Sequence, residues 1–125
     1  MKKETIATQK APAAVGPYSQ AVRSGNTIYV SGQIPIDPET GKMPKTIDAQ
    51  ARQSLSNIAA ILTAAGAGME NVVRCGIFMT DLNDFKTVNE IYASFFKGDY
   101  PARATVQVAR LPLDAKIEID AIAEV

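Results

Sequence analysis

Alternation of apolar and polar residues is clearest over residues 101–125, PARATVQVARLPLDAKIEIDAIAEV. Ala104, Val106 and Val108 fall on one side of an extended chain, with Arg103, Thr105 and Gln107 on the other. Ile117, Ile119 and Ala121 oppose Lys116, Glu118 and Asp120 in the same way. The pattern predicts two strands. Joined as a hairpin through Arg110-Leu111-Pro112-Leu113-Asp114, with both apolar sides on one core, they would put Arg103, Thr105, Glu118 and Asp120 on one polar face. On spacing alone this face reads either as a solvated surface with cross-strand ion pairs worth about 0.2–1 kcal/mol each, or as a site presenting a cation fork and two carboxylates.

Upstream, the prolines and glycine of residues 11–17 predict an extended, turn-rich lead from which the fold starts. Residues 18–23 and 27–32 read as strands around Ser24-Gly25-Asn26, a connection that tolerates positive φ. Ser31-Gly32-Gln33 ends the second strand with a glycine that either admits a close-approaching backbone or ligand or marks an ordinary strand exit. Residues 38–45 have no periodicity and read as an exposed loop. Helical spacing takes over at 48–65, with Ala51, Leu55, Ile58, Leu62 and Ala65 on one stripe, Thr46 or Asp48 at the start and Gly66 past the end. Gly66-Ala67-Gly68 has half the form of a dinucleotide fingerprint, but it follows a helix instead of a strand and is rejected as such. Residues 72–79 are apolar apart from Arg74, as in a central strand. Asp81-Leu82-Asn83-Asp84 caps a second helix to residue 97, with Phe85, Val88, Ile91, Tyr92 and Phe95 as its apolar set and Gly98 as its stop. The order ββαβαββ predicts an α+β two-layer sandwich over residues 1–125 as a single domain, a mixed sheet with two helices on one face. Tyr29, Val72, Phe78 and Ile122, mixed with Arg103, Glu118 and Asp120 on the uncovered face, suit burial against further copies of the chain.

Composition narrows the chemistry. Thirteen basic and thirteen acidic residues give zero formal charge, which weighs against nucleic acid or an anionic membrane as partner. No apolar run approaches the roughly 20 residues that span a bilayer, and the first ten residues lack a signal-like apolar segment, so the expected location is cytoplasmic. With no histidine, a Ser-His-Asp or Cys-His nucleophile and a histidine-ligated metal are excluded; acid–base work falls to a carboxylate, tyrosine, lysine or water. The single cysteine, Cys75, lies among Val73, Ile77 and Met79 and reads as a packed small hydrophobe.

Gly16-Pro17-Tyr18, the run from Ser31 to Pro35, the run from Gln50 to Asn57, the run from Asp81 to Phe85, and Pro101-Ala102-Arg103 through Arg110-Leu111-Pro112 closely resemble the RidA (YjgF/YER057c/UK114) family along the whole chain. Arg103 followed by Ile117-Glu118-Ile119 is similar to its deaminase-active branch. The resemblance implies a chorismate-mutase-like fold, a homotrimer with clefts between subunits, and hydrolysis of reactive 2-imino or enamine acids, such as 2-iminobutanoate and 2-iminopropanoate, to 2-oxo acids and ammonia, without cofactor or metal. It implies that these intermediates come from pyridoxal-phosphate-dependent dehydratases. It assigns Arg103 to the substrate carboxylate and Glu118 to the hydrolytic water, with Tyr18, Ser31, Gly32, Thr105 and Asn89 lining the cleft. Thr105 stands where many members have cysteine, and Gln107 where glutamate is common. The family's older names, as translation inhibitors or ribonucleases, imply the rival reading of a non-catalytic small-acid sensor or an RNA- or partner-binding module.

Overall fold

A computed structural model describes residues 2–125. The chain runs β1 (Lys3–Ile6), β2 (Ala21–Ser24), β3 (Thr27–Gln33), α1 (Ile47–Ala64), β4 (Val72–Met79), α2 (Phe85–Ser94), β5 (Ala102–Gln107) and β6 (Ile117–Glu124). The six strands form one mixed sheet in the order β1-β2-β3-β6-β4-β5, antiparallel throughout except for the β4–β5 pair. Both helices cover the same face. Ile28 and Val30 of β3, Cys75, Ile77 and Met79 of β4, and the Ile117, Ile119, Ala121, Ala123 row of β6 are buried there against Leu55, Ile58 and Leu62 of α1 and Val88 and Ile91 of α2. Each large aliphatic side chain so enclosed contributes roughly 1.5–3 kcal/mol of transfer free energy.

The period change at residue 48 marks α1 to within one residue, and Gly66 follows it in the left-handed region at φ 80°. The second helix is shorter than its apolar set implies. A 3₁₀ turn, Leu82–Asp84, precedes it with the Asp81 carboxylate accepting from the Asn83 N–H at 2.9 Å, and α2 ends at Ser94, four residues before Gly98. Phe95 and Phe96 still pack on the core from the turn beyond.

Polar anchors fix the loops. Gln20, buried, takes the Thr8 N–H at 2.7 Å and donates to the Thr8 and Pro12 carbonyls at 3.0 and 2.7 Å, pinning the N-terminal segment. Gln50 accepts from the Lys116 N–H at 2.9 Å and donates to the Pro44 carbonyl at 2.8 Å; Asn57 donates to the Ile36 carbonyl at 3.0 Å. Each satisfies backbone groups that would otherwise be desolvated without a partner.

Four expectations need correction. The sheet begins before the predicted first strand, because Lys3–Ile6 pairs with Ala21–Ser24; four polar-rich residues carry no periodic signal. The strand read at 18–23 accordingly narrows to Ala21–Ser24. β5 and β6 are not a hairpin: β4 lies between them, paired parallel with β5 and antiparallel with β6, and the chain crosses over through the 3₁₀ turn Pro112–Asp114. Val72, expected on the uncovered face, is buried on the helix side opposite Ala123, because a register break between Val72 and Arg74 turns the strand.

Candidate active site

The strand pairing decides which side chains share a face. Cys75 lies opposite both Arg103 and Ala121, and Ile77 opposite both Thr105 and Ile119, so Arg103 and Thr105 point to the helix side. Gly76 lies opposite Ala104 and Asp120, and Phe78 opposite Val106 and Glu118, so both carboxylates point to the uncovered side. The expected common polar face therefore does not exist within one chain. On the edge strand β5 it is the apolar positions, Ala104 and Val106, that look away from the helices. The four predicted groups divide into two half-sites.

On the helix side, the exposed Arg103 lies against α2. Its Nη1 donates to Asn89 Oδ1 at 2.7 Å, and its Cζ stands 4.9 Å from the Tyr92 ring centroid and 5.4 Å from that of Phe85. Leu82, Phe85, Arg103 and Thr105 line a groove of about 440 Å³. The Thr105 hydroxyl is buried without a hydrogen-bond partner. Gln107 has a structural task, its Oε1 accepting from the Leu82 N–H at 2.9 Å at the approach to α2. Beneath the arginine, burial pushes the Cys75 thiol and the Tyr92 hydroxyl above their ordinary ranges, so both stay protonated at neutral pH. Cys75 is buried, as its neighbours in sequence implied, although Val73 is exposed.

On the opposite side, a register break between Val30 and Gln33 places Ser31 and Gly32 as a bulge beside β6. Ser31 is held firmly: its N–H donates to the Gln20 carbonyl at 2.9 Å and its hydroxyl to the Ser19 carbonyl at 2.6 Å, next to the half-exposed Tyr18. The Glu118 carboxyl lies over the bare Cα of Gly32. A Cβ there would meet Oε2 and come within 2.9 Å of Cδ. Gly76 makes the same accommodation for Asp120, donating its N–H to Oδ1 at 2.8 Å where a Cβ would sit 2.6 Å from that oxygen. Partial burial first, and the Asp120 charge second, raise the Glu118 carboxyl above its ordinary 4.5.

Ser31, Gly32 and Glu118 thus share one neighbourhood and Asn89, Arg103 and Thr105 another, while Tyr18 lines a hollow against the N-terminal segment with Thr5, Thr8 and Gln20. Sequence reasoning did not find Phe85, Tyr92 or Gly76 in these roles. The two aromatics were indistinguishable from core positions at helical spacing, and Gly76 sat inside an apolar run.

A mixed sheet backed by two helices, with an arginine groove on one face and a glycine-seated carboxyl on the other, defines an α+β two-layer sandwich that presents two half-sites. The chain belongs to the RidA family: residues 8–125 match the family model described as Endoribonuclease L-PSP. It is 55% identical over 123 residues, 96% of each chain, to the 2-iminobutanoate/2-iminopropanoate deaminase of Escherichia coli strain K12. Among solved structures, E. coli TdcF with bound serine superposes with a TM-score of 0.95 at 50% identity, covering 98% of both chains. The E. coli YjgF gene product gives a TM-score of 0.95 at 55% identity, covering 97% of this chain and 98% of its own.

Proposed function

We propose that this protein is a hydrolase that deaminates 2-imino and enamine acids such as 2-iminobutanoate and 2-iminopropanoate, releasing 2-oxo acids and ammonia. The observation that carries the reading is the end-to-end 55% identity to a relative named for that reaction. Arg103 takes the substrate carboxylate through its planar fork. Glu118, ionised, accepts a proton from the water attacking the imine carbon. Returning that proton to the nitrogen gives a neutral carbinolamine, whose hydroxyl proton then passes through the same carboxylate to the nitrogen as the C–N bond breaks, releasing ammonia and leaving the 2-oxo acid.

Because the two groups lie on opposite faces of one chain, a working site takes Arg103 from one copy and Glu118 from the next. An interface between two different surfaces repeats head to tail and closes into a ring, here a homotrimer. Tyr29, Phe78, Val106 and Ile122 on the uncovered face, the first and third of them markedly exposed, are the apolar surface it would bury. Sedimentation at micromolar concentration should give three times the 13.3 kDa chain mass; a monomer would remove the shared site.

The activity is tested by coupling a threonine dehydratase to the protein and trapping surviving imine with semicarbazide. Semicarbazone yield should fall as protein is added; a constant yield defeats the reading. The description Endoribonuclease favours RNA hydrolysis as a second reading. RNA titration at physiological salt should show no saturable binding, as zero formal charge provides no electrostatic footprint.

Two further outcomes follow from the carboxylates. Gly32→Ala should reduce turnover about 10²-fold by displacing Glu118, while the melting temperature changes little, since the obstructing atoms belong to a flexible side chain. Retained activity would mean that the carboxyl is not needed where it sits. Turnover by ionised Glu118 is lost as pH falls through its folded pKa, which lies above 4.5. Asp120→Asn removes a like charge, so the acid limb of kcat/KM should move to lower pH. An unmoved or upward-shifted limb contradicts that coupling.

A further inference from the structure

The contacts around Arg103 say more than that it faces a groove. Its partners on α2 are Phe85, Asn89 and Tyr92, spaced i, i+4 and i+7, a single stripe along the helix. All three are uncharged. Among the described residues the ion pair present is Arg110–Asp114 on the surface, so no carboxylate of its own chain lies against Arg103. This is an unusual setting for an arginine, since a carboxylate is the ordinary way to fix a guanidinium.

We propose that Phe85, Asn89 and Tyr92 form a neutral cradle that orients Arg103 without neutralising it, which makes Phe85 and Tyr92 positioning residues for the anion-binding arginine. The inference rests on the carboxylate-binding role assigned to Arg103 above. An aspartate or glutamate in the stripe would hold the side chain equally well, but it would cancel the charge and occupy the N–H pairs that a substrate carboxylate needs. Aromatic faces attract the guanidinium through their quadrupoles and use no N–H donor. The Asn89 carbonyl oxygen takes one N–H, leaving four of the five donors of the fork for an incoming carboxylate. Tyr92 contributes its ring: its hydroxyl is buried away from the guanidinium, on the Cys75 side.

The test compares Phe85→Leu and Asn89→Asp. Phe85 is only partly buried, so its replacement is compatible with folding. KM for the imine, and the Kd of 2-oxobutanoate by calorimetry, should rise about threefold to tenfold for Phe85→Leu and about tenfold or more for Asn89→Asp, with kcat within twofold of the unmodified chain. In the ligand-free protein, ¹⁵N NMR should show slow rotation about the Arg103 Nε–Cζ bond, accelerated by Phe85→Leu. Unchanged bond rotation together with unchanged KM in Phe85→Leu overturns the cradle. So does an effect of Asn89→Asp confined to kcat. If the unmodified protein fails to consume imine yet the variants still weaken 2-oxobutanoate binding and free the arginine, the cradle stands and the deaminase reading falls.

Discussion

Refolding an equimolar mixture of Arg103→Ala and Glu118→Gln chains should restore imine hydrolysis well above the residual level of either variant alone. The expectation follows from strand register. Arg103 projects to the helix side with Ile77 and Ile119, while Glu118 projects to the other side with Phe78, so each variant damages a different surface. In a closed ring, each site joins the arginine surface of one copy to the carboxylate surface of its neighbour. Random association then places an intact arginine beside an intact carboxylate at about one site in four, so about a quarter of the unmodified activity should return. Mixed trimers, identified by native mass spectrometry, that remain inactive would mean that the two residues do not act at one site. No arrangement confined to one chain can produce the recovery.

The same two substitutions, assayed separately, should split binding from chemistry. Arg103→Ala should make 2-oxobutanoate binding undetectable by calorimetry, since truncating one member of a desolvated charge-assisted pair typically costs about 2–5 kcal/mol. Glu118→Gln keeps the shape and most of the hydrogen bonding, so the analogue should still bind, but it lacks the base, and turnover should fall by roughly 10²-fold or more. Both chains should assemble, as neither side chain belongs to the buried core. If Glu118→Gln instead prevents assembly while the residual folded fraction remains fully active, Glu118 is an interface strut and has no part in the chemistry.

Helix and strand positions were legible because burial enforces period. The β6 row Ile117, Ile119, Ala121 and Ala123 is buried without interruption, and α1 shows its stripe to within one residue of its ends. What alternation could not supply was the pairing partner. In β5 the two faces are both largely open, so the apolar set Ala104 and Val106 carried no information about which side the helices occupy, and the face of Arg103 was read the wrong way round. Register is weakly specified where neither face is buried. The family resemblance placed residues in a common cleft without saying which face of the sheet each occupies, and the register of β4 against its two neighbours divides Arg103 and Thr105 from Glu118 and Asp120. The polar anchors Gln20, Gln50 and Asn57 were equally invisible as anchors, because their partners are backbone groups whose position depends on the finished fold.

The strand at the outer margin of the sheet has a practical meaning for anyone handling this protein. Lys3–Ile6 covers the hydrogen-bonding edge of Ala21–Ser24, and it stays in place because Gln20 grips the segment that follows it. Its own outward edge carries exposed Lys3 and Glu4, charges that discourage a foreign strand from adding on. Trimming residues 2–12 to shorten an expression clone would take away both the cover and the charges and leave Ala21 and Val22 beside a row of open backbone groups, inviting strand-to-strand aggregation. A purification tag at that end is better joined through a flexible spacer than substituted for the first residues.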